Sequence, residues 1–212
     1  MKRIFIAVLS IAATLAATEI TIWSRSQCPY CISAENALIE AMSRLSEEQQ
    51  PEIKHNYIMD YAPEDRSLKA MHGQSEVDEN MRRMVITAYF PENYEEYARS
   101  RNTHFRDSLW RMDAQLAGID TAALRVKVME QGEVMAMEHA LRTQDKRIDA
   151  SPTIFVDGRK LTGWGYDMPS IYIALQNLAK SGGIPGLPTC DEEVSGSNGE
   201  ISIKALKKGC RP

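Results

Sequence analysis

The chain has 212 residues, a formal net charge of −4, and ordinary fractions of hydrophobic (43%) and charged (25%) residues. This length fits one domain with an elaboration or two small domains, and it is long enough to bury a sizeable core without cross-links. The composition argues against wholesale disorder, and the net acidic charge argues against electrostatic binding of nucleic acid. Of the four cysteines, two lie only three positions apart, at Cys28 and Cys31.

Residues 1–17 have the pattern of a secretory signal peptide. Lys2 and Arg3 precede an apolar run that ends in small residues. The run is shorter than the roughly 20 apolar residues that a membrane-spanning helix needs. A buried first element or an uncleaved anchor is the alternative interpretation. We expect cleavage near Ala16/Ala17 and a periplasmic or secreted mature protein, in a compartment where disulfides persist.

The segment that follows predicts a strand, a helix and a second strand. Residues 19–24 are rich in β-forming types, as are residues 53–60. Between them, apolar residues at three- and four-residue intervals predict an amphipathic helix that begins near Cys28 and ends by Pro51. A strand–helix–strand unit of this length is expected to have parallel strands and a right-handed crossover.

Residues 61–148 predict helices only. Apolar residues recur at helical spacing in five stretches. Pro91 suits the start of the second helix, and Asp120 or Thr121 is expected to cap the fourth. Gly132 is expected to separate the fourth helix from the fifth. Because these helices carry apolar faces, we expect them to pack together as a helical subdomain.

Strand-forming residues return after this helical segment. The run 153–156, the dipeptide Asp157-Gly158 and the run 160–162 predict a β-hairpin with a two-residue turn. Apolar spacing then predicts a closing helix over 168–180. A strand–helix–strand unit and a hairpin–helix unit therefore flank the helical segment.

The sequence Cys28-Pro29-Tyr30-Cys31 falls where a strand gives way to a helix. Cys28 is expected at the helix N-cap, where unpaired N–H groups and the helix dipole favour a thiolate and lower the cysteine pKa from about 8.5. Pro29 suits the first helical turn because its missing N–H has no helical partner there. Cys31, one turn along, is expected to be less exposed. We predict Cys28 as the attacking or attacked sulfur and Cys31 as the resolving one.

Three alternatives compete with a redox role for this pair. A purely structural Cys28–Cys31 disulfide would close only a four-residue loop, which removes little chain entropy. A zinc site needs about four ligands, but Cys190 and Cys210 lack the spacing of a second Cys-x-x-Cys, and the four histidines are scattered. The flanking strand and helix argue against accidental spacing. We expect the cysteine pair to work without a metal or an organic cofactor.

The sequence resembles the DsbA-like thiol–disulfide oxidoreductases, which have a thioredoxin fold. The similarity lies in residues 23–31, after the first strand, and in residues 151–158, after the helical segment. It implies an α/β fold in which an all-helical insertion interrupts a βαβ unit and a ββα unit. It also implies a cis Ser151–Pro152 bond whose loop faces the cysteine pair. Substrate contacts are then expected from Pro29, Tyr30, Ser151 and Pro152.

The chain therefore divides into five predicted segments. These are a signal peptide (1–17), two halves of a thioredoxin fold (18–61 and 149–182), a helical insertion (62–148) and a tail (183–212). In the tail, we predict that Cys190 and Cys210 form a structural disulfide, which would contribute roughly 3 kcal/mol. A second redox pair that relays electrons to Cys28 is the alternative.

The resemblance implies an exported oxidoreductase that exchanges a Cys28–Cys31 disulfide with cysteines of exported proteins, as a dithiol oxidase. The expected redox partner is a membrane quinone-linked reoxidase or an electron donor. We expect a monomer, because no dimerisation segment precedes the fold. Ser151 stands where Val, Thr or Ile is usual in the family, which bears on substrate preference. The alternatives are a periplasmic disulfide reductase, including a glutathione-linked one, and a non-catalytic module that binds peptides or acts as a chaperone.

Overall fold

A computed structural model describes residues 19–44, 50–162 and 201–202. The predicted signal peptide, the predicted closing helix over 168–180 and both tail cysteines lie outside these residues, so what the sequence predicts for them stays a prediction. Among the described residues, no helix is long and apolar enough to cross a membrane.

One sheet of five strands forms the centre of the fold. Its strands are β1 (Glu19–Ser24), β2 (Glu52–Tyr57), β5 (Thr153–Val156), β6 (Arg159–Thr162) and β7 (Ile201–Ser202). Their order in the sheet is β2-β1-β5-β6-β7. β1 pairs in parallel with β2 and antiparallel with β5, while β6 is antiparallel to β5 and parallel to β7. The sequence does not predict β7.

The predicted strand–helix–strand unit and the predicted β-hairpin are confirmed. Helix α1 (Pro29–Met42) connects the parallel strands β1 and β2, and Cys28 is its N-cap with an extended backbone. Both residues of the β5–β6 turn have positive φ, 48° at Asp157 and 77° at Gly158, as a two-residue hairpin turn requires. Buried isoleucines of β1 and β5, at Ile22 and Ile154, form the centre of the sheet.

The insertion begins with strands, where the sequence predicts helices only. β3 (Asp60–Ala62) and β4 (Ser67–Lys69) form an antiparallel hairpin. Arg66 has a positive φ of 56°, and Ser67 N donates to Asp65 Oδ1 at 2.9 Å. Pro63 and Asp65 are residues that favour turns over helices, so the prediction was wrong for this short segment.

Four α-helices make up the rest of the insertion. They are α2 (Gln74–Tyr89), α3 (Tyr94–Asn102), α4 (Trp110–Leu116) and α5 (Thr121–Asp145). Asp120 caps α5, because Ala122 N and Ala123 N donate to its carboxylate. Pro91 starts a 3₁₀ turn that leads into α3 instead of starting the helix itself.

Gly132 does not separate two helices, as the sequence predicts, but lies inside α5. It is buried where α5 packs against α2. A Cβ atom at this position would lie 3.3 Å from Met81 Sδ and 3.3 Å from Val128 Cγ1. Glycine lowers helix propensity by about 1 kcal/mol relative to alanine. Here it permits close helix packing, and that tertiary packing overrides the local preference.

Buried charges join α1 to the insertion. Arg83 Nη1 on α2 lies 2.6 Å from Glu35 Oε2 on α1, and Arg83 Nε lies 3.0 Å from Glu79 Oε1. Asn102 of α3 accepts from Arg83 Nη2 and donates to Glu35. Burial raises the pKa of Glu35, but the Arg83 charge and hydrogen bonds from Tyr94 and Asn102 outweigh it and hold this pKa at about 2. Glu35 is therefore ionised in the folded protein.

This pKa makes acid stability depend on Glu35. The folded pKa lies below the ordinary glutamate value of about 4.3, so the ionised group stabilises the fold above about pH 5. That contribution, about 3 kcal/mol, is lost as the pH falls toward 2. We expect Glu35→Gln to have a lower free energy of unfolding than the wild type at pH 7. Between pH 5 and pH 3, the free energy of unfolding of this variant is expected to fall by less than that of the wild type. Urea unfolding measures both.

The control for this prediction is Glu40→Gln. Glu40 lies on the same helix, and its exposed side chain pairs with Arg44. Its replacement is expected to change the free energy of unfolding by less than about 0.5 kcal/mol at either pH. Parallel loss of stability with acid in Glu35→Gln and in the wild type would contradict the assigned pKa.

Candidate active site

The two neighbouring cysteines lie at the N-terminus of α1, just past the carboxyl end of β1. Both are free thiols in this structure. Cys28 is 8% exposed and Cys31 is 2% exposed. The prediction that Cys31 is the less exposed sulfur is confirmed. In the described ranges 19–44, 50–162 and 201–202, no group of three or more His, Cys, Asp or Glu side chains is placed to hold a metal ion.

The two sulfurs differ strongly in acidity. A hydrogen bond from the Cys31 thiol lowers the pKa of Cys28 to about 5, against the opposing effect of burial. Burial raises the pKa of Cys31 far above its ordinary value, and the neighbouring Cys28 raises it further. At neutral pH the pair therefore holds a Cys28 thiolate and a Cys31 thiol.

The helix N-terminus supplies part of this effect. The backbone N–H groups of Tyr30 and Cys31, in the first turn of α1, both lower the pKa of Cys28. They are the unpaired N–H groups that the sequence predicts for an N-cap cysteine. The larger contribution comes from the Cys31 side chain, which the sequence places near Cys28 but does not identify as a donor.

The Ser151–Pro152 loop faces the cysteine pair. Its peptide bond is cis, as the resemblance to DsbA-like proteins implies. Ser151 Oγ lies 4.0 Å from Cys28 Sγ and donates to it. The loop is brought here by the pairing of β5 with β1, which places Thr153 opposite Trp23. The hydroxyl of Ser151 is a further group that lowers the pKa of Cys28.

The other predicted contact residues lie around this pair. Pro29 and Tyr30 are exposed, with Tyr30 at 50% exposure, whereas Ser151 is partly buried and Pro152 is buried. The structure thus brings all four close to Cys28 along the chain or across the sheet, and their role in binding a substrate stays a prediction.

Two buried polar residues of α2 also belong to the site, and the sequence gives little sign of them. Gln27 N donates to Glu76 Oε1 at 3.0 Å, and Ser26 N donates to Asn80 Oδ1 at 3.3 Å. Glu76 and Asn80 are both 0% exposed. Their i, i+4 spacing places them on one face of α2. From the sequence alone, however, a polar helix face is expected to lie toward solvent.

Comparisons with solved structures agree on the fold. BdbD from Bacillus subtilis aligns with a TM-score of 0.57 and 14% identity over 78% of this chain and 89% of that chain. The thiol-disulfide exchange protein alpha-DsbA2 from Wolbachia pipientis gives 0.55 and 13% over 78% and 83%. Mtb DsbA gives 0.54 and 14% over 95% and 93%. No family model and no curated protein matches the sequence.

The similarity establishes the fold. The described residues form a DsbA-like structure, a thioredoxin fold interrupted by a largely helical insertion. In this fold the chain carries a Cys-x-x-Cys pair at the start of α1 and a cis-proline loop opposite it. The predicted fold class is confirmed.

The Ser151 hydroxyl provides a test of the site geometry. Removing a weak donor to a thiolate destabilises the charged form, so we expect Ser151→Ala to raise the pKa of Cys28 by a few tenths of a unit and by less than about 1 unit. Thiolate absorbance at 240 nm, followed against pH on the reduced protein, measures the change. Ser43→Ala, at the far end of α1, is expected to leave the titration unchanged. A lower pKa in Ser151→Ala would contradict the assigned hydrogen bond.

Proposed function

We propose that this protein is a thiol–disulfide oxidoreductase that transfers a Cys28–Cys31 disulfide to cysteines of protein substrates, as a dithiol oxidase. The observation that carries the proposal is the unequal acidity of the two sulfurs. A stabilised Cys28 thiolate stabilises the reduced protein, and a disulfide whose reduced form is stable is a strong oxidant.

The exchange has two steps. A substrate thiolate attacks Cys28 Sγ of the disulfide, so the bond between the substrate and Cys28 forms while the Cys28–Cys31 bond breaks. The electron pair leaves on Cys31 Sγ, which then takes a proton from water. A second substrate thiolate attacks the substrate sulfur of the mixed disulfide and releases the Cys28 thiolate. The substrate is oxidised to a disulfide, and the protein is reduced to a dithiol.

Accessibility favours Cys28 as the sulfur that exchanges with substrates. It is the more exposed of the two cysteines, and its neighbours Pro29 and Tyr30 form an exposed surface beside it. A partner peptide lying there in an extended conformation would also meet Ser151, whose hydroxyl already contacts Cys28. We therefore assign substrate contact to Pro29, Tyr30 and the Ser151–Pro152 loop.

The proposal also includes the compartment, the substrates and the redox partner of the enzyme. The basic start, apolar run and small residues of 1–17 support export to the periplasm or the cell exterior, with exported proteins as substrates. Reoxidation by a membrane quinone-linked partner would return the pair to its disulfide. We further propose a monomer without a bound cofactor and a structural Cys190–Cys210 disulfide in the tail.

Single cysteine variants test the roles of the two sulfurs. We expect Cys31→Ser to accumulate mixed disulfides with substrate proteins at Cys28, because a partner joined to Cys28 can then leave only through a second substrate thiolate and no longer by attack of Cys31 on Cys28. Cys28→Ser is expected to accumulate none. Non-reducing gels and peptide mapping of the trapped species measure both.

The oxidised wild-type protein supplies the activity arm of the same experiment. We expect it to restore disulfides to reduced ribonuclease, and Cys28→Ser to have no activity. Ser43→Ala, at the far end of α1, serves as the distant control and is expected to retain activity. Trapping on Cys28→Ser instead of Cys31→Ser would reverse the assignment. Absence of oxidase activity in the wild type would overturn the oxidase proposal.

A further inference from the structure

The loop before Cys28 has a partner for each of four consecutive backbone N–H groups. Arg25 N donates to Cys31 Sγ at 3.2 Å, and Cys28 N donates to Arg25 O at 3.1 Å. The other two N–H groups, of Ser26 and Gln27, leave the loop and bind side chains of α2. The conformation that presents Arg25 N to Cys31 is therefore held from the insertion.

The two acceptors on α2, Glu76 and Asn80, are buried side chains, and we call them the α2 anchor. Glu76 and Asn80 lie one helical turn apart and are 0% exposed. The Glu76 carboxylate accepts from Gln27 N at 3.0 Å and from His72 N at 3.1 Å, and Oε1 lies 2.9 Å from His72 Nδ1. A carboxylate held by several donors is fixed in orientation, so it can fix Gln27 in turn.

Asn80 is buried at a cost. Within the described part of the chain, its Nδ2 atom has no hydrogen-bond partner. An unsatisfied buried donor is unfavourable, so packing alone would favour an apolar side chain such as leucine at this position. The contact that distinguishes asparagine here is the one from Ser26 N to Oδ1.

The α2 anchor positions the Arg25 N–H group, and this group acts on the resolving sulfur, Cys31 Sγ. Cys31 is 2% exposed, so water does little to stabilise a charge on it. The Arg25 N–H group lowers the pKa of Cys31 against the larger effect of burial. When the Cys28–Cys31 bond breaks, negative charge appears on Cys31 Sγ, and a backbone donor already in place stabilises that charge.

We propose that Glu76 and Asn80 are positioning residues that hold Arg25 N–H against Cys31 Sγ and so speed the step in which Cys31 is the leaving group. This inference rests on the proposed exchange chemistry at Cys28. It assigns to the insertion a part in the reaction, because both residues belong to α2. The bond that forms joins the incoming sulfur to Cys28, and the bond that breaks releases its electron pair to Cys31.

The test measures that step with reduced glutathione and the oxidised protein. Asn80→Leu removes the acceptor and keeps the number and branching of the side-chain heavy atoms, and we expect it to slow reduction of the Cys28–Cys31 disulfide about tenfold. Asn80→Asp keeps an acceptor oxygen and is expected to stay within about threefold of the wild type. Val85→Ala, on the same helix and buried away from the loop, is expected to leave the rate unchanged. If Asn80→Leu does not fold, Asn80→Ala removes the same acceptor.

A second measurement separates positioning from general loosening. In a Cys31→Ala background, the Cys28 thiolate of the reduced protein can be followed as it reacts with a small aromatic disulfide. We expect Asn80→Leu to change this rate less than about twofold, because the sulfur that receives the Arg25 N–H is absent. An equal slowing with and without Cys31, or a wild-type rate for Asn80→Leu in the glutathione reaction, would overturn the proposal.

The positioning role of Glu76 and Asn80 and the oxidase activity are tested by separate reactions. The glutathione reaction requires only that the Cys28–Cys31 disulfide forms, and it needs no protein substrate. A wild-type protein that fails to oxidise reduced ribonuclease would refute the oxidase proposal, while the comparison of Asn80 variants would still decide the role of the α2 anchor.

Discussion

The hydrogen bond from the Cys31 thiol to the Cys28 sulfur is the interaction on which the chemistry of this protein depends. It requires two cysteines in one helical turn, with one at the N-cap and the other turned toward the interior. Because one sulfur is buried and the other lies among N–H donors, a single proton on the pair resides on Cys31. The strand pairing of β1 with β5 then places the Ser151 hydroxyl on the charged sulfur.

The insertion is tied to this site by buried polar groups as well as by apolar packing. Arg83 of α2 bridges Glu35 of α1 and Glu79 of its own helix, with all three nearly inaccessible to solvent. Removing one partner of such a group leaves an uncompensated buried charge, which typically costs 3–5 kcal/mol. About one and two turns closer to the N-terminus of α2, Asn80 and Glu76 hold the loop that precedes Cys28. The face of α2 that carries Arg83 therefore also carries Glu76 and Asn80, so the contacts that fix the position of this helix lie beside those that support the site.

Features fixed by local chemistry were predicted well. The N-cap position of Cys28, the Asp157-Gly158 turn and the Asp120 cap each follow from one residue type at one backbone position. The sequence also shows the strand–helix–strand order and the helical insertion that precedes the second half of the sheet. The cis bond before Pro152 came from the resemblance to a family, since proline alone leaves the trans form favoured.

Features fixed by tertiary contacts were missed. Gly132 resembles a helix break until α2 is seen to occupy the space beside it. Glu76 and Asn80 have the composition of a solvent face, and only the approach of residues 25–28 makes them buried acceptors. The hairpin at the start of the insertion was missed because its strands are three residues each, too short to show a period.

The reduction potential of the Cys28–Cys31 pair tests the central claim most directly, because it measures how far the thiolate stabilises the reduced protein. Equilibration with defined ratios of reduced and oxidised glutathione, quenched by acid and read by alkylation and mass spectrometry, gives this potential. The acidity of Cys28 predicts a value nearer the roughly −120 mV of strongly oxidising disulfides than the roughly −270 mV of thioredoxin. A value at or below the thioredoxin potential would contradict the account.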